Sequence, residues 1–481
     1  MVDDLKEKAT RGLFWGALNS GTTQVLQLLI GILLGRILSP GEYGILVYVA
    51  IFTAIAGNLQ SSGFSTYLIN MKAPRHEDYN AVFWFNVLTS FALYAILFAC
   101  SPLIADFFHQ PILTKVSHYV FLTFVLASFG IVPNAYMARR LMIKEGAIMN
   151  TAALVVSGAT AITMALAGCS FWSLIVQQIL YILVLNIGRY YYIDWRPTMH
   201  IDLRPIRKMF AFSVNILDTM IMNTVSTNIL SFILGKLFNK DILGNYGQAY
   251  KWDTMAYSLV TNTLSQVAQP VFASIANERE REQKVFRKIL RFTAFLSFPA
   301  MFGLAMVARE FILVTIGPKW MDSILMLQIL CIGGAFFPFY SVYQNLAIGR
   351  GRSDINMWCN ILQIVIQIAL LLLCYRWGFI GMVAVYSAFN IVWLLAWQTQ
   401  IHRLIGLRLW DVLKDIVPFM IIALAVMALT GWLTAGIASN LVLLLTRVAV
   451  AGVLYVGIMK LARVQILDEC IAFVMKKITQ H

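Results

Sequence analysis

The chain has 481 residues, of which 59% are hydrophobic and only 12% are charged, too little polar character to cover a water-soluble protein of this size. Its net charge of +14 does not indicate nucleic-acid binding, because Lys and Arg are dispersed between apolar stretches; this pattern fits contact with anionic lipid head groups. The six cysteines are scattered without a CxxC pair, which predicts neither disulfides nor a metal site.

Apolar stretches follow one another along almost the whole chain, and each is about 20–27 residues long, enough for a helix to cross a bilayer. We predict about fourteen transmembrane helices from them. The first is too long for the apolar region of a cleavable signal peptide and should be retained. The stretches lie at 12–38, 43–69, 80–104, 116–137, 146–167, 171–193, 208–234, 242–274, 290–316, 323–348, 355–375, 379–401, 413–435 and 439–460.

The distribution of positive charge predicts the orientation of these spans. Of the 37 Lys and Arg residues, 28 fall in the alternate segments that begin with the N-terminal one, and Arg189 is among these. Seven fall in the segments between them, and Lys251 and Arg447 lie within spans. By the positive-inside rule both termini are expected in the cytoplasm. The outer loops are about twelve residues or shorter on this topology, which argues against a catalytic or receptor domain outside the membrane.

Two similar segments indicate a duplicated unit. Gly-Arg-Ile-Leu at 35–38 and Gly-Lys-Leu-Phe at 235–238 each end a predicted span, and an aromatic residue followed by Gly opens the next span. We therefore predict an all-α polytopic membrane protein with two six-helix lobes related by a pseudo-two-fold axis along the membrane normal. The expected parts are an N-terminal lobe (1–194), a cytoplasmic connector (195–207), a C-terminal lobe (208–402), two additional helices (403–463) and an amphipathic interfacial tail (464–481).

An ordered set of short segments resembles a known family of transporters. These segments are 35–44, Pro133-Asn134-Ala135 before Arg139-Arg140, Trp195-Arg196-Pro197, Tyr250-Lys251, Gln266-Val267 with Pro270-Val271-Phe272, 317–320 and 349–354. The chain thereby resembles the multidrug/oligosaccharidyl-lipid/polysaccharide (MOP) flippase superfamily, in its bacterial polysaccharide transporter branch (Wzx-like).

The resemblance implies a multi-pass protein of the bacterial inner membrane. It would move an undecaprenyl-pyrophosphate-linked oligosaccharide from the cytoplasmic to the periplasmic leaflet by alternating access. Such transport supplies the synthesis of lipopolysaccharide, capsule or exopolysaccharide, and a polysaccharide polymerase is the expected partner.

Charged residues inside the spans are the first candidates for a substrate pathway, because an ionisable group at membrane depth is costly and usually faces a cavity. Lys251 is expected to meet the diphosphate, or else to extend toward the outer interface. Asp218 and Asp253 are candidate sites for ion coupling, or else structural hydrogen-bonding groups. Arg139 and Arg140 could attract the diphosphate at the cytoplasmic mouth, or else serve only as orientation signals.

Uncharged polar residues inside the spans form the second group of candidates. They could bind sugar hydroxyls, although helix–helix hydrogen bonding is the alternative for each of them. The members of this group are Asn19, Gln24, Gln60, Asn223, Gln248 and Asn262.

Two other functions remain open from sequence. A cation-coupled multidrug antiporter of the same superfamily would use membrane carboxylates, but few are present and the basic excess favours an anionic substrate. A polytopic glycan polymerase or transferase would need catalytic groups in a sizeable outer loop, so we expect no enzyme. We expect no cofactor, no bound metal and no nucleic-acid partner. Coupling to a proton or sodium gradient is left open.

Overall fold

The computed structural model describes residues 2–61, 63–276, 278–464 and 466–469. Within these ranges the side chains are described except at 2–14, 17, 60, 61, 208, 211–220, 223, 266 and 267. In this described part, helices are the only regular secondary structure. The predicted amphipathic tail lies mainly at 470–481, outside the described residues.

Sixteen α-helices make up the described chain, and each predicted span coincides with one helix or with two consecutive helices. The second and tenth predicted spans are each interrupted, forming α2 with α3 and α11 with α12. The helices are α1 (Val2–Ile37), α2 (Pro40–Ser61), α3 (Phe64–Asn70), α4 (His76–Phe107), α5 (Ile112–Arg139), α6 (Ile143–Leu166), α7 (Trp172–Tyr192), α8 (Arg204–Leu237), α9 (Lys240–Ser274), α10 (Arg279–Thr315), α11 (Met321–Gly334), α12 (Phe337–Gly349), α13 (Ser353–Leu373), α14 (Gly378–Ile405), α15 (Leu409–Leu433) and α16 (Asn440–Leu461).

Twelve segments of the described chain are long and apolar enough to cross a membrane. Lipid hydrocarbon offers no hydrogen-bond partners, so a chain that crosses it must pair its own backbone groups, and a helix does this. The apolar composition therefore agrees with the helical structure. Large apolar side chains such as Leu103 and Val453 remain mostly exposed, as a lipid-facing surface requires. The two other predicted spans form α8 and α9, 34 and 35 residues long, which are not among the twelve; several side chains of both helices lie outside the described part of the structure.

The turn between α1 and α2 explains one of the segments that carried the family resemblance. Pro40 opens α2, where its fixed φ and missing N–H are favourable. The Glu42 carboxylate accepts hydrogen bonds from the Ser39 backbone N–H at 2.6 Å and from the Ser39 hydroxyl at 2.8 Å. This arrangement resembles a capping box and holds the start of α2 in place.

The interruption between α11 and α12 is compensated by a neighbouring helix. Pro338 lies in the first turn of α12 and cannot donate a backbone hydrogen bond. The buried Ser297 hydroxyl of α10 donates to the Ala335 carbonyl at 2.7 Å, which satisfies a backbone group released by the interruption. The break is therefore a stable feature of the fold.

The chain divides into two compact units, Met1–Gly244 and Asn245–His481. In the first unit α4 packs against α5, α6 packs against both α1 and α7, and α2 packs against α8. In the second unit α10 is central and contacts α11, α12, α15 and α16. The predicted lobes, divided instead at the connector 195–207, stay a prediction.

The first turns of α2 and α9 approach each other closely within the first unit. A Cβ atom added at Gly44 would overlap the Lys240 carbonyl, and one added at Gly244 would overlap the Pro40 carbonyl. The two contacts are equivalent, because each residue of one turn corresponds to the residue 200 positions later in the other. Only glycine permits this backbone approach; the predicted duplication stays a prediction.

A buried ion pair ties the second unit together. Glu282 on α10 is fully buried, and its two carboxylate oxygens accept hydrogen bonds from Arg350 at 2.8 and 2.7 Å. Arg350 also donates to the Leu404 carbonyl at 2.6 Å. This bidentate geometry holds the region after α12 against α10 and the end of α14.

We expect Arg350→Gln to destabilise the second unit by about 3–5 kcal/mol, because it leaves the Glu282 carboxylate buried without its cation. Thermal unfolding of the detergent-purified protein, followed by tryptophan fluorescence, measures the effect. Arg352→Gln is the matched control, since Arg352 pairs with Asp354 where both side chains are about half exposed, and such an exposed pair contributes little to stability. Equal melting temperatures for the two variants would contradict the assigned role of Arg350.

Candidate functional site

The described site candidates fall in both compact units. Asn19 and Gln24 lie on α1, Arg139 ends α5 and Arg140 follows it. Gln248, Lys251, Asp253 and Asn262 all lie on α9, in the second unit. The side chains of Gln60, Asp218 and Asn223 lie outside the described part of the structure, so the roles predicted for them stay predictions.

A cavity of about 380 Å³ with several polar groups in its lining opens among α1, α5, α6 and α7 in the first unit. Asn19 lines it, as do several residues that the sequence did not single out. Gln24, half-buried on α1, is not among the lining residues. The lining residues are Asn19, Asn134, Met137, Ala138, Met142, Ile143, Gly146, Met149, Asn150, Tyr181, Leu185 and Arg189.

A hydrogen-bond network joins three helices at this cavity. The Asn150 amide on α6 donates to the Asn19 side-chain oxygen at 3.1 Å and to the Thr23 hydroxyl at 2.6 Å. The Tyr181 hydroxyl on α7 donates to the Asn150 side-chain oxygen at 2.6 Å. These groups fix the shape of the cavity, and amides and hydroxyls of this kind suit a substrate rich in hydroxyl groups.

Arg189 is the charged residue of this cavity, and like Asn150 and Tyr181 it was not among the candidates from sequence. It lies about one turn from the end of α7 and was counted only among the cytoplasmic orientation charges. Its guanidinium donates to the side-chain oxygens of Asn134 and Asn186, each at 3.3 Å. The pair Asn186 and Arg189, three residues apart on one helix face within an apolar run, is the signal that could have identified it.

The two arginines at the end of α5 have different environments. The Arg139 guanidinium donates to four backbone carbonyls at the end of α3 and just after it, those of Leu68, Ile69, Met71 and Lys72. These bonds use the donors that a substrate anion would need, so we leave Arg139 out of the proposed site.

Arg140 retains an exposed guanidinium. Its side chain is 55% exposed, stacks 4.2 Å from the centre of the Tyr136 ring and approaches the exposed Asp194 at only 3.8 Å. Such a long, solvent-exposed ion pair contributes little, so Arg140 remains available for a passing anion.

Asp253 on α9 is the most deeply buried of the described candidates. The residue is 1% exposed, and neither carboxylate oxygen accepts a hydrogen bond from a described protein group. A Cβ atom at Gly334, the last residue of α11, would overlap this carboxylate, so the carboxylate packs directly against the α11 backbone. An isolated buried carboxylate is costly unless it holds a proton or a cation, which makes Asp253 chemically suited to ion coupling.

The second unit contains other buried polar groups. Gln248, one and a half turns before Asp253, is 1% exposed, and the amide of Gln363 on α13 donates to the Asn390 side-chain oxygen of α14 at 2.9 Å. No group of three or more His, Cys, Asp and Glu able to hold a metal occurs among the described residues. Oxygen atoms of amides and hydroxyls with a single carboxylate suit a proton or a hard cation.

Lys251 and Asn262 lie at more accessible positions of α9. Lys251 is half-buried, and its ammonium lies 5.2 Å from the centre of the Trp252 ring. It is eleven residues after the start of α9, about 16 Å along the helix axis, which is deeper than a residue at a helix end. Asn262 is exposed on the same helix.

The sequence of the chain matches an established protein family. The sequence profile of the family described as polysaccharide biosynthesis protein matches residues 33–325. Lipopolysaccharide biosynthesis protein WzxC of Escherichia coli (strain K12) is 26% identical over 363 residues, which cover 74% of this chain and 73% of that protein. Teichuronic acid biosynthesis protein TuaB of Bacillus subtilis (strain 168) is 23% identical over 410 residues, covering 84% and 83%.

The fold also matches a solved membrane protein structure. The lipid II flippase MurJ, in an inward closed conformation, aligns with a TM-score of 0.73 and 14% identity over 92% of this chain and 98% of that chain. At this identity the likeness concerns the fold. The predicted all-α polytopic membrane fold is confirmed by the helices of the described chain and by this match.

Proposed function

Since the chain belongs to the family of polysaccharide biosynthesis proteins, we propose that it is an inner-membrane flippase for undecaprenyl-pyrophosphate-linked oligosaccharides. It moves them from the cytoplasmic to the periplasmic leaflet by alternating access and thereby supplies the synthesis of a surface polysaccharide. The names of the relatives, which refer to lipopolysaccharide and teichuronic acid biosynthesis, support this assignment.

The cavity of the first unit, with its polar groups, is the observation that carries the proposal. It lies among apolar helices, and its amide and hydroxyl groups include Asn19, Asn150 and Tyr181. Polar groups inside a membrane domain are costly and usually mark a substrate pathway. Amides and a phenol are suited to bind the hydroxyl groups of a sugar chain, while the prenyl tail stays in the surrounding lipid.

The basic residues define where the diphosphate travels. Arg140 is exposed beyond the end of α5, on the cytoplasmic side of the proposed topology, and attracts the anionic head group first. Lys251 then meets the diphosphate within α9 as a point charge. In this topology both termini are cytoplasmic, and a polysaccharide polymerase receives the delivered units.

We expect Lys251→Gln to reduce export of the polysaccharide about tenfold or more, because the variant removes a cation from the pathway and tenfold corresponds to only about 1.4 kcal/mol. Export is measured as surface polysaccharide in a deletion strain that carries the variant gene. Lys115→Gln removes the same charge from an exposed position at the start of α5 and is the control. If the two variants export equally, Lys251 has no special role.

A cation-coupled multidrug antiporter is the second candidate, and the buried carboxylate of Asp253 is the observation that favours it. The family match and the names of the relatives support transport of a polysaccharide precursor instead. Within the flippase proposal, Asp253 and Asp218 are the candidate sites for a coupling proton or sodium ion.

The two candidates are separated by measuring the substrate on each side of the membrane. The gene is deleted in its host, and the lipid-linked oligosaccharide accessible at each leaflet is quantified, with the gene restored on a plasmid as the control. The flippase proposal predicts complete repeat units held at the cytoplasmic leaflet and loss of surface polysaccharide. An unchanged distribution together with new sensitivity to cationic drugs would reject it in favour of the antiporter.

A further inference from the structure

The charge balance of the cavity in the first unit is unusual for a membrane domain. Arg189 is its cation, and neither Asp nor Glu is among the lining residues. In the part of the chain that the structure describes, the groups that interact with the Arg189 guanidinium are the neutral side chains of Asn134, Asn186 and Tyr181. A cation held in this way, without a neighbouring carboxylate, is costly unless a mobile anion compensates it.

The packing of α5 against α7 leaves space for this guanidinium. A Cβ atom at Gly130 of α5 would overlap both the Asn186 side-chain oxygen and the Arg189 Nη1 atom. Glycine at this position therefore lets Arg189 fold back against α5, where Asn134 lies one turn further on. The position of the guanidinium is set by the neighbouring helices, and that is a property of a built binding site.

Two of the five guanidinium N–H donors are engaged by long hydrogen bonds of 3.3 Å to neutral amides. Bonds from an arginine to a phosphate or carboxylate oxygen are shorter and about twice as strong. An oxyanion entering the cavity would therefore meet free donors of Arg189, with the Tyr181 and Asn150 side chains nearby in the same lining.

From this arrangement we infer that the cavity of the first unit binds a phosphate oxyanion through Arg189. The inference deepens the proposed function and rests on it, since it places a diphosphate-binding station in the first unit, separate from Lys251 of the second unit. It also excludes this cavity as a cation-coupling site, because Arg189 would repel the cation and no lining carboxylate would hold it.

Direct binding to the full-length, detergent-purified protein tests the inference. The probe is farnesyl diphosphate, titrated by calorimetry, with inorganic pyrophosphate and uncharged farnesol in parallel. We expect Arg189→Gln to weaken binding of farnesyl diphosphate about tenfold or more. Arg204→Gln should bind as the wild type does, since the Arg204 side chain is 94% exposed outside the cavity.

The parallel titrations identify the source of the anion. If inorganic pyrophosphate binds as tightly as farnesyl diphosphate, the site recognises the free anion; if the prenyl chain is needed, it recognises the head group of a lipid. Either result, together with loss of binding in Arg189→Gln, supports the site.

A second variant keeps the test decisive if Arg189→Gln does not fold. Gly130→Ala keeps the charge of Arg189 but displaces its guanidinium, so we expect weaker binding of farnesyl diphosphate with a melting temperature that shows a folded protein. Wild-type affinity in both Arg189→Gln and Gly130→Ala, or no binding of either anion to the wild type, would overturn the site. The leaflet measurement in the deletion strain is independent of Arg189, so failure of the site leaves the flippase proposal standing.

Discussion

Asp253→Asn is expected to abolish most export while leaving the protein as stable as the wild type or more stable. The Asp253 carboxylate is 1% exposed and has no hydrogen-bond donor among the described groups. Removing its charge therefore relieves a desolvation cost instead of breaking a bond. If Asp253 holds the coupling proton or cation, an amide of the same shape cannot replace it, and export should fall at least about tenfold.

Two measurements on Asp253→Asn distinguish a role of the carboxylate in ion coupling from a purely structural role. Surface polysaccharide is quantified in the complemented deletion strain at several external pH values and sodium concentrations, and the melting temperature is measured on purified protein. Asp322→Asn, at an exposed position in the first turn of α11, is the control. Full export with an unchanged dependence on pH and sodium in Asp253→Asn would show that the carboxylate is only a structural group.

Gly44→Ala is expected to block export for a different reason. The added Cβ would overlap the Lys240 carbonyl and lie 3.1 Å from the Gly244 backbone nitrogen. Neither neighbour is a flexible side chain, so the two turns must separate. In the proposed topology these turns lie at the outer side. The variant should therefore lose the close packing between them, and export should fail with it. Gly244→Ala should reproduce the loss, because its Cβ would overlap the Pro40 carbonyl.

Gly57→Ala is the matched control for this prediction. Gly57 lies on α2, as Gly44 does, but no atom lies within 4 Å of the position that its Cβ would take. Alanine favours a helix over glycine by about 1 kcal/mol, so this variant should be at least as stable as the wild type and should export normally. Export by Gly44→Ala at the level of Gly57→Ala would show that the close contact between the turns is not needed.

Much of the helical architecture was predictable from the sequence, because hydrocarbon permits few structures. Every apolar stretch of sufficient length forms a helix, since in lipid the chain must satisfy its backbone groups internally. The end of a helix was also predictable where neighbouring residues in the sequence determine it, as Ser39, Pro40 and Glu42 do at the start of α2. The break between α11 and α12 was not predicted, because its stability depends on Ser297 of a distant helix.

The candidate site was less predictable, because residue type does not reveal which neighbours a side chain meets. Arg139 and Arg140 are adjacent in sequence, yet Arg139 donates hydrogen bonds to four backbone carbonyls while the Arg140 side chain is exposed. Asn19 was identified by its position inside a span, but its partners Asn150 and Tyr181 come from two other helices.

By itself, the sequence determined that this protein is an all-helical, multi-pass membrane protein, and its motifs indicated the polysaccharide transporter family. These conclusions follow from hydropathy and from short motifs, which are local properties. Tertiary structure alone decided that Arg189 enters a cavity without a lining carboxylate and that Asp253 is buried without a donor. Both depend on the approach of helices that are distant in sequence, which glycines at Gly130 and Gly334 permit.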